Sequence, residues 1–226
     1  MLALLHTGRV HVQTFERLAR ELGTAIPIRH EVQESLLADT LAAGESTPAV
    51  RSAIIEAVQG LAHAGAKVIV CTCSTIGGIA EATPLPGGVR AMRIDRPMAE
   101  RAVASERRIL ACAALRSTFQ PTIALLRQVA SDASRPIEVV ELLCAGAWSF
   151  FEKGDAAGYV REIVAAVETA ALPTDVILLA QASMAPVAEQ LVHLGLPVLS
   201  SPKLGLEAAL SLYQTLAAQG QPVSGA

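Results

Sequence analysis

Reactive side chains in this sequence gather where short apolar runs stop. The run Lys67–Cys73 ends on a thiol and continues as Ser74-Thr75, and the run Asp175–Ala180 ends on Gln181-Ala182-Ser183. A thiol can take up and return a proton or attack carbon. A glutamine amide has no proton to exchange at neutral pH, but it donates to and accepts from a carboxylate or carbonyl. In open α/β sheets the carboxyl ends of strands face the ligand crevice. Two such ends facing each other across a cleft would hold one small molecule between a thiol and an amide.

Other strand ends carry polar residues too. Ser74 or Thr75 can cap a helix, whose first N–H groups would then surround the Cys73 sulfur. Such a terminus favours a thiolate and also holds a carboxylate. The plainer alternative is a buried cysteine beside an ordinary cap. His6-Thr7-Gly8 closes the first apolar run, where Thr7 is positioned to donate to a carboxylate and His6 to orient or tune the thiol. Arg116-Ser117-Thr118 repeats the pattern, as substrate contacts or as a simple helix start. Cys144, after Ile137–Leu143, reads first as core, as do Cys71 and Cys112.

Composition excludes several functions. The formal charge of −3, with no Lys/Arg run, argues against nucleic-acid binding. No apolar run is as long as a membrane span, and Met1–His6 lacks the basic flank and length of a leader, so a cytoplasmic protein is expected. The four cysteines have no CxxC or HxxxH partner, so neither disulfides nor a metal centre is expected. There is no Walker loop, no GxGxxG after a strand and no GxSxG elbow.

The elements that must position these residues alternate along the chain. Strand-like runs are Leu2–Leu5, Ile26–Val32, Lys67–Cys73, Val89–Ile94, Arg108–Ala114, Ile137–Leu143, Asp175–Ala180 and Pro197–Leu199. Helical patterns lie at Val12–Leu22, Val50–Ala64, Thr75–Ala82, Met98–Ser105, Thr118–Ala130, Ala156–Ala171, Ala185–Leu194 and Leu204–Ala218. Strands alternating with helices predict βα units and mainly parallel sheet. The fold class is therefore α/β, with two similar Rossmann-like lobes of about four strands each. Residues 1–95 with 204–226 form the first lobe, carrying Cys73, and 96–203 form the second, carrying Gln181. The active site is expected in the cleft between them.

These strand ends resemble those of the aspartate/glutamate/hydantoin racemase superfamily. Val70-Cys71-Thr72-Cys73-Ser74-Thr75 resembles its Cys-Asn-Thr motif, with Ser74 in place of Asn. Leu5-His6-Thr7-Gly8 resembles its Asp-Ser-Gly loop, and Ala114-Leu115-Arg116-Ser117-Thr118 its Ala-Thr-x-x-Thr loop. Leu179-Ala180-Gln181-Ala182-Ser183-Met184 is similar to the hydantoin-racemase form Leu-Gly-Cys-Ala-Gly-Met, with Gln181 where the second thiol stands. The resemblance implies a cofactor-independent racemase or isomerase, a homodimer, acting beside a carboxylate or amide of a small carboxylate or cyclic amide. Cys73 would be the acid/base, and His6, Thr7, Ser74, Thr75, Ser117, Thr118, Gln181, Ala182 and Ser183 the substrate contacts. The alternatives are a one-thiol decarboxylase similar to arylmalonate decarboxylases and a non-catalytic carboxylate-binding protein.

Overall fold

A computed structural model describes residues 1–105, 107–170 and 173–219. Ala171, the end of one expected helix, and residues 220–226 of the expected first lobe lie outside the described residues. The chain falls into two compact units, Met1–Ile94 with the stretch from Gly205, and Asp95–Leu204.

The first unit holds β1 (Leu2–His6), α1 (Val10–Glu21), β2 (Ile28–Val32), α2 (Ser35–Ala43), α3 (Pro48–His63), β3 (Val68–Cys71), α4 (Ser74–Glu81) and β4 (Arg90–Arg93). Its sheet is parallel throughout, in the order β2-β1-β3-β4. The inner strands β1 and β3 are buried along their whole length, whereas β2 and β4 at the edges are partly exposed. Side chains alternate between two cores. Ala3, Leu5, Ile69 and Cys71 pack with α3 and α4, while Leu2, Leu4, Val68 and Val70 pack with Phe15 and Leu18 of α1 and with Leu206 and Leu210.

The second unit repeats that plan with α5 (Arg96–Ser105), β5 (Arg108–Ala113), α6 (Phe119–Asp132), β6 (Glu138–Leu143), α7 (Ala147–Glu152), α8 (Ala156–Ala170), β7 (Val176–Leu179), α9 (Val187–Gln190) and β8 (Val198–Ser200). Its sheet, β6-β5-β7-β8, is also all parallel. The last helix, α10 (Ser201–Gln219), starts in this unit and continues into the first. No helix among the described residues is long and apolar enough to cross a membrane.

Two helices depart from the sequence expectation. α2 lacks a clear apolar stripe, but buries Leu36 and Thr40, bonds Thr40 Oγ1 to the Leu36 carbonyl and stops at Gly44 in the left-handed region (φ 75°). The expected helix Ala185–Leu194 is instead a 3₁₀ turn (Ala182–Met184), one turn of α-helix (α9) and a second 3₁₀ turn (Val192–Leu194). Pro186 has no N–H to continue the ladder from the first turn, which breaks the segment there.

α10 crosses close to β4 at Gly205, where a β-carbon would collide with the backbone oxygen and side chain of Ile94. Alanine normally stabilises a helix by about 1 kcal/mol over glycine. At this position the collision opposes that gain and costs about 1–3 kcal/mol. Gly205→Ala is therefore expected to lower the thermal unfolding midpoint, and a midpoint at or above wild type would refute the close approach.

Candidate active site

Cys73 stands two residues beyond the end of β3, as the N-cap of α4, with extended backbone (φ −114°, ψ 117°). Its side chain makes no capping bond, and the first N–H groups of α4 have no carbonyl within the helix to bond. Ser74 and Thr75, expected as caps, are instead the first two residues of the helix. Cys73 is half-buried, whereas Cys71, Cys112 and Cys144 are each at most 1% exposed. Burial pushes the Cys144 thiol up to about 11 and raises that of Cys112 further. Of the four sulfurs, Cys73 alone is both at a strand end and open to a reactant.

Gln181 occupies the matching place in the second unit, two residues past β7 and the N-cap of a 3₁₀ turn (φ −122°, ψ 139°). The ladder fixes the match, because Thr72 N–H donates to Leu5 O just as Ala180 N–H donates to Cys112 O. The Gln181 Oε1 accepts from Ala114 N–H at 2.6 Å and Leu115 N–H at 3.2 Å. Two backbone donors on one atom identify it as the oxygen, so the side chain is oriented and its acceptor is occupied. Its amide N–H groups have no partner among the described residues.

The other expected contacts divide by unit. His6 ends β1 and Thr7 follows it; β1 lies beside β3, so both share a sheet edge with Cys73, Ser74 and Thr75. Thr7 and Ser74 are largely buried, and Thr75 is partly exposed. Ser117 and Thr118 form a 3₁₀ turn after β5, beside β7 with Gln181, Ala182 and Ser183. The Ser117 hydroxyl is buried and has no hydrogen-bond partner among the described residues. Ala182 is buried, and Ser183 shares a 2.8 Å bond with the Tyr159 hydroxyl from α8. Cys144 follows β6, separated from β7 by β5, and packs with Leu110, Cys112 and Tyr159.

His6 differs from expectation. It is fully buried and points to the α1 side of the sheet, whereas Cys73 packs toward the core of α3 and α4. Its Nδ1 lies 2.8 Å from Thr72 Oγ1 and its Nε2 2.9 Å from His30 Nδ1. Both ring nitrogens of His6 are therefore engaged within this network. Four residues here escaped the sequence reading: Thr72, His30, Tyr159 and Arg93. Arg93, 4% exposed on β4, runs beneath α4, where a β-carbon on Gly77 would lie 3.0 Å from Arg93 Cβ. Its Nη2 donates to the Ser74 carbonyl at 3.4 Å. The available signal was a cation near the end of the run Val89–Ile94, together with the small pair Gly77-Gly78 in the preceding helix. Among the described residues no group of three or more His, Cys, Asp or Glu is arranged to hold a metal ion.

The histidines carry a pH consequence. Burial lowers His6 from 6.5 to about 3, helped by the neighbouring His30 and His11, and lowers His11 to about 4. Above pH 6.5 both folded and unfolded imidazoles are neutral. Below it the unfolded chain binds protons that the folded chain refuses until about pH 4 for His11 and about pH 3 for His6. Stability should therefore fall with acidification across that window, by about 1.4 kcal/mol per pH unit for each fully discriminating imidazole. Urea midpoints should drop between pH 6.5 and about 4, with a shallower slope in His11→Gln. Identical slopes would contradict the assignment.

Neither a family model nor a curated protein matches the sequence. Solved structures do match. An aspartate racemase from Picrophilus torridus superposes with TM-score 0.65 at 14% identity, over 96% of this chain and 94% of that one. Allantoin racemase from Pseudomonas fluorescens gives TM-score 0.57 at 17% identity, over 95% and 91%. Arylmalonate decarboxylase gives TM-score 0.54 at 21% identity, over 94% and 92%. The parallel strand order of each unit and these superpositions agree: the chain has the α/β fold that these racemases and arylmalonate decarboxylase share.

Proposed function

We propose that this protein is a cofactor-independent racemase- or isomerase-type enzyme that works at the carbon beside a carboxylate or amide of a small molecule, with Cys73 as its acid/base. The observation that carries this reading is the placement of one accessible thiol at the end of an inner strand and the start of a helix, while the other three are buried. Such a thiol removes a proton from the activated carbon and returns one, passing through an enediolate or its amide counterpart. Donors around the developing negative charge lower the barrier. In unit one these are Thr7, Ser74 and Thr75. In unit two they are Ser117, Thr118, Ser183 and the N–H groups of Gln181, beside the small Ala182. His6 is left out of direct contact because both its nitrogens are engaged.

A second reading is favoured by Gln181. With its oxygen held by Ala114 and Leu115, the side chain offers donors and no exchangeable acid/base. A reaction needing only one proton-carrying group then fits better than a symmetrical two-base racemisation. Decarboxylation meets that condition: carbon dioxide leaves, and Cys73 protonates the remaining enediolate. The substrates for which these structural neighbours are named supply a starting panel: aspartate, allantoin and an arylmalonate.

The test is solvent-deuterium incorporation into that panel, followed by mass spectrometry and chiral chromatography. Cys73→Ser should abolish incorporation while leaving the circular dichroism spectrum unchanged; undiminished incorporation would remove Cys73 from the chemistry. Gln181→Cys should create or raise racemisation of an accepted substrate. No gain with such a substrate would refute the matching of residue 181 to residue 73. Absence of turnover with tight, stoichiometric binding of a panel member would instead mark a carboxylate-binding protein.

A further inference from the structure

A buried hydrogen-bond chain crosses the first unit on the face opposite the Cys73 side chain. His30 on the edge strand β2, His6 on β1 and Thr72 after β3 are linked at 2.9 Å and 2.8 Å, and Thr72 Oγ1 donates to the Leu5 carbonyl at 3.2 Å. With both imidazoles neutral, only one placement of protons makes all three contacts hydrogen bonds. Thr72 has a single hydroxyl proton, and the Leu5 carbonyl accepts only, so that proton points at Leu5. Thr72 Oγ1 must then accept from His6 Nδ1–H, which leaves His6 Nε2 to accept from His30 Nδ1–H. The same Leu5 carbonyl also takes the Thr72 backbone N–H at 2.9 Å. Thr72 is thus tied to β1 by three bonds, one residue before the reactive thiol.

We propose that His30, His6 and Thr72 form a clamp whose function is to hold the backbone of Cys73 at the start of α4, making Thr72 and His6 positioning residues. The role assigned to Cys73 is the reading given above, on which the proposal rests. A proton wire is excluded by the polarity of the chain, because it ends on a backbone carbonyl and a carbonyl relays no proton. Strand alternation also keeps the Thr72 side chain and the Cys73 side chain on opposite faces. Whatever the clamp does to the sulfur passes through the backbone between them.

A proton added to His6 Nε2 would point at the proton on His30 Nδ1, so the first link would persist only if His30 carried its own proton on Nε2 instead. The groups facing the pair are His11 and Glu16 of α1, with the His11 ring stacked on His6 and the Phe15 ring tilted against it. Glu16 raises the His30 pKa, but burial outweighs it and the net direction is down. Burial holds His6 neutral to about pH 3, so the clamp stays closed throughout the physiological range.

Two measurements test this on the full chain. Nitrogen-correlated proton spectra of the imidazoles in the wild type should show His6 and His30 both protonated on Nδ1, with His6 Nε2 bare. The second measurement follows carbamidomethylation of the Cys73 peptide by iodoacetamide across the pH range, in Thr72→Val and Thr72→Ser. Thr72→Val keeps the branched shape and removes the hydroxyl. It should slow labelling at neutral pH by about two- to fivefold, the size of one helix-terminus interaction, and change the pH profile. Thr72→Ser keeps the hydroxyl and should restore the wild-type rate and profile. Protonation of His6 on Nε2, or Thr72→Val labelling as wild type does, overturns the clamp. Failure of the catalytic reading shows separately, as undiminished deuterium incorporation in Cys73→Ser, and leaves the labelling result to decide the clamp.

Discussion

A parallel strand covered on both faces has little room for polar side chains along its length, and this constraint organises each unit. β1, β3 and β7 are buried from end to end, and β5 from Ile109 onward, so chemistry is displaced to the residues just past their carboxyl ends. There the chain leaves the sheet, backbone N–H groups lose their ladder partners, and a helix start can gather them around an anion. In the order β2-β1-β3-β4 the two inner strands are neighbours, which sets His6 and Thr7 beside Thr72 and Cys73. β5 and β7 set Ala114 and Leu115 beside Gln181 in the same way.

The repeated topology makes the two units comparable residue by residue. Cys73 and Gln181 match through their ladder bonds. The same ladder matches Cys144 to Gln33, because Cys144 N–H donates to Ala113 O as Gln33 N–H donates to His6 O. The fourth cysteine thus belongs to the outer-strand position and not to the inner-strand one. Its thiol, raised to about 11 by burial among Leu110, Tyr159 and Ile163, is that of a core residue. The symmetry of the scaffold is therefore not carried into its reactive groups: one unit presents a sulfur, the other an amide.

Much of this was legible in the sequence because it depends on local pattern. Runs such as Val68-Ile69-Val70-Cys71 followed by Ser74-Thr75-Ile76-Gly77 announce strand, loop and helix in succession. The breaks were legible only in part. The weak apolar stripe of Ser35–Ala43 hid a helix that the structure ends at Gly44. What sequence could not supply was partnership across strands. The bond from His6 to Thr72 spans 66 positions and that from Ala114 to Gln181 spans 67, and no local signal encodes either. His6 at a strand end looked like a group for the ligand side. Its parity along β1, shared with Leu4 and Leu2, instead sends it to the α1 face. Arg93 was hidden for the converse reason, since a cation in an edge strand ordinarily points to water, yet Gly77 leaves space for it under α4.

The capture of the Gln181 oxygen narrows what residue 181 contributes to any carbanion chemistry. A free amide would present an acceptor and donors by rotating, and so adapt to a neutral carbonyl or to an anion. Held by Ala114 and Leu115, it presents donors alone. Fixed donors stabilise developing negative charge without reorganising, which is the electrostatic half of proton-transfer catalysis. They do not deliver a proton to carbon. Under the proposed mechanism, delivery then comes from the Cys73 side, and a prochiral enediolate is protonated on one face. Racemisation would need a second donor such as solvent water, whereas a one-face protonation yields a single enantiomer. Under that mechanism, handedness of the product therefore reports directly on whether the proton reaches carbon from the Cys73 side alone or also from solvent.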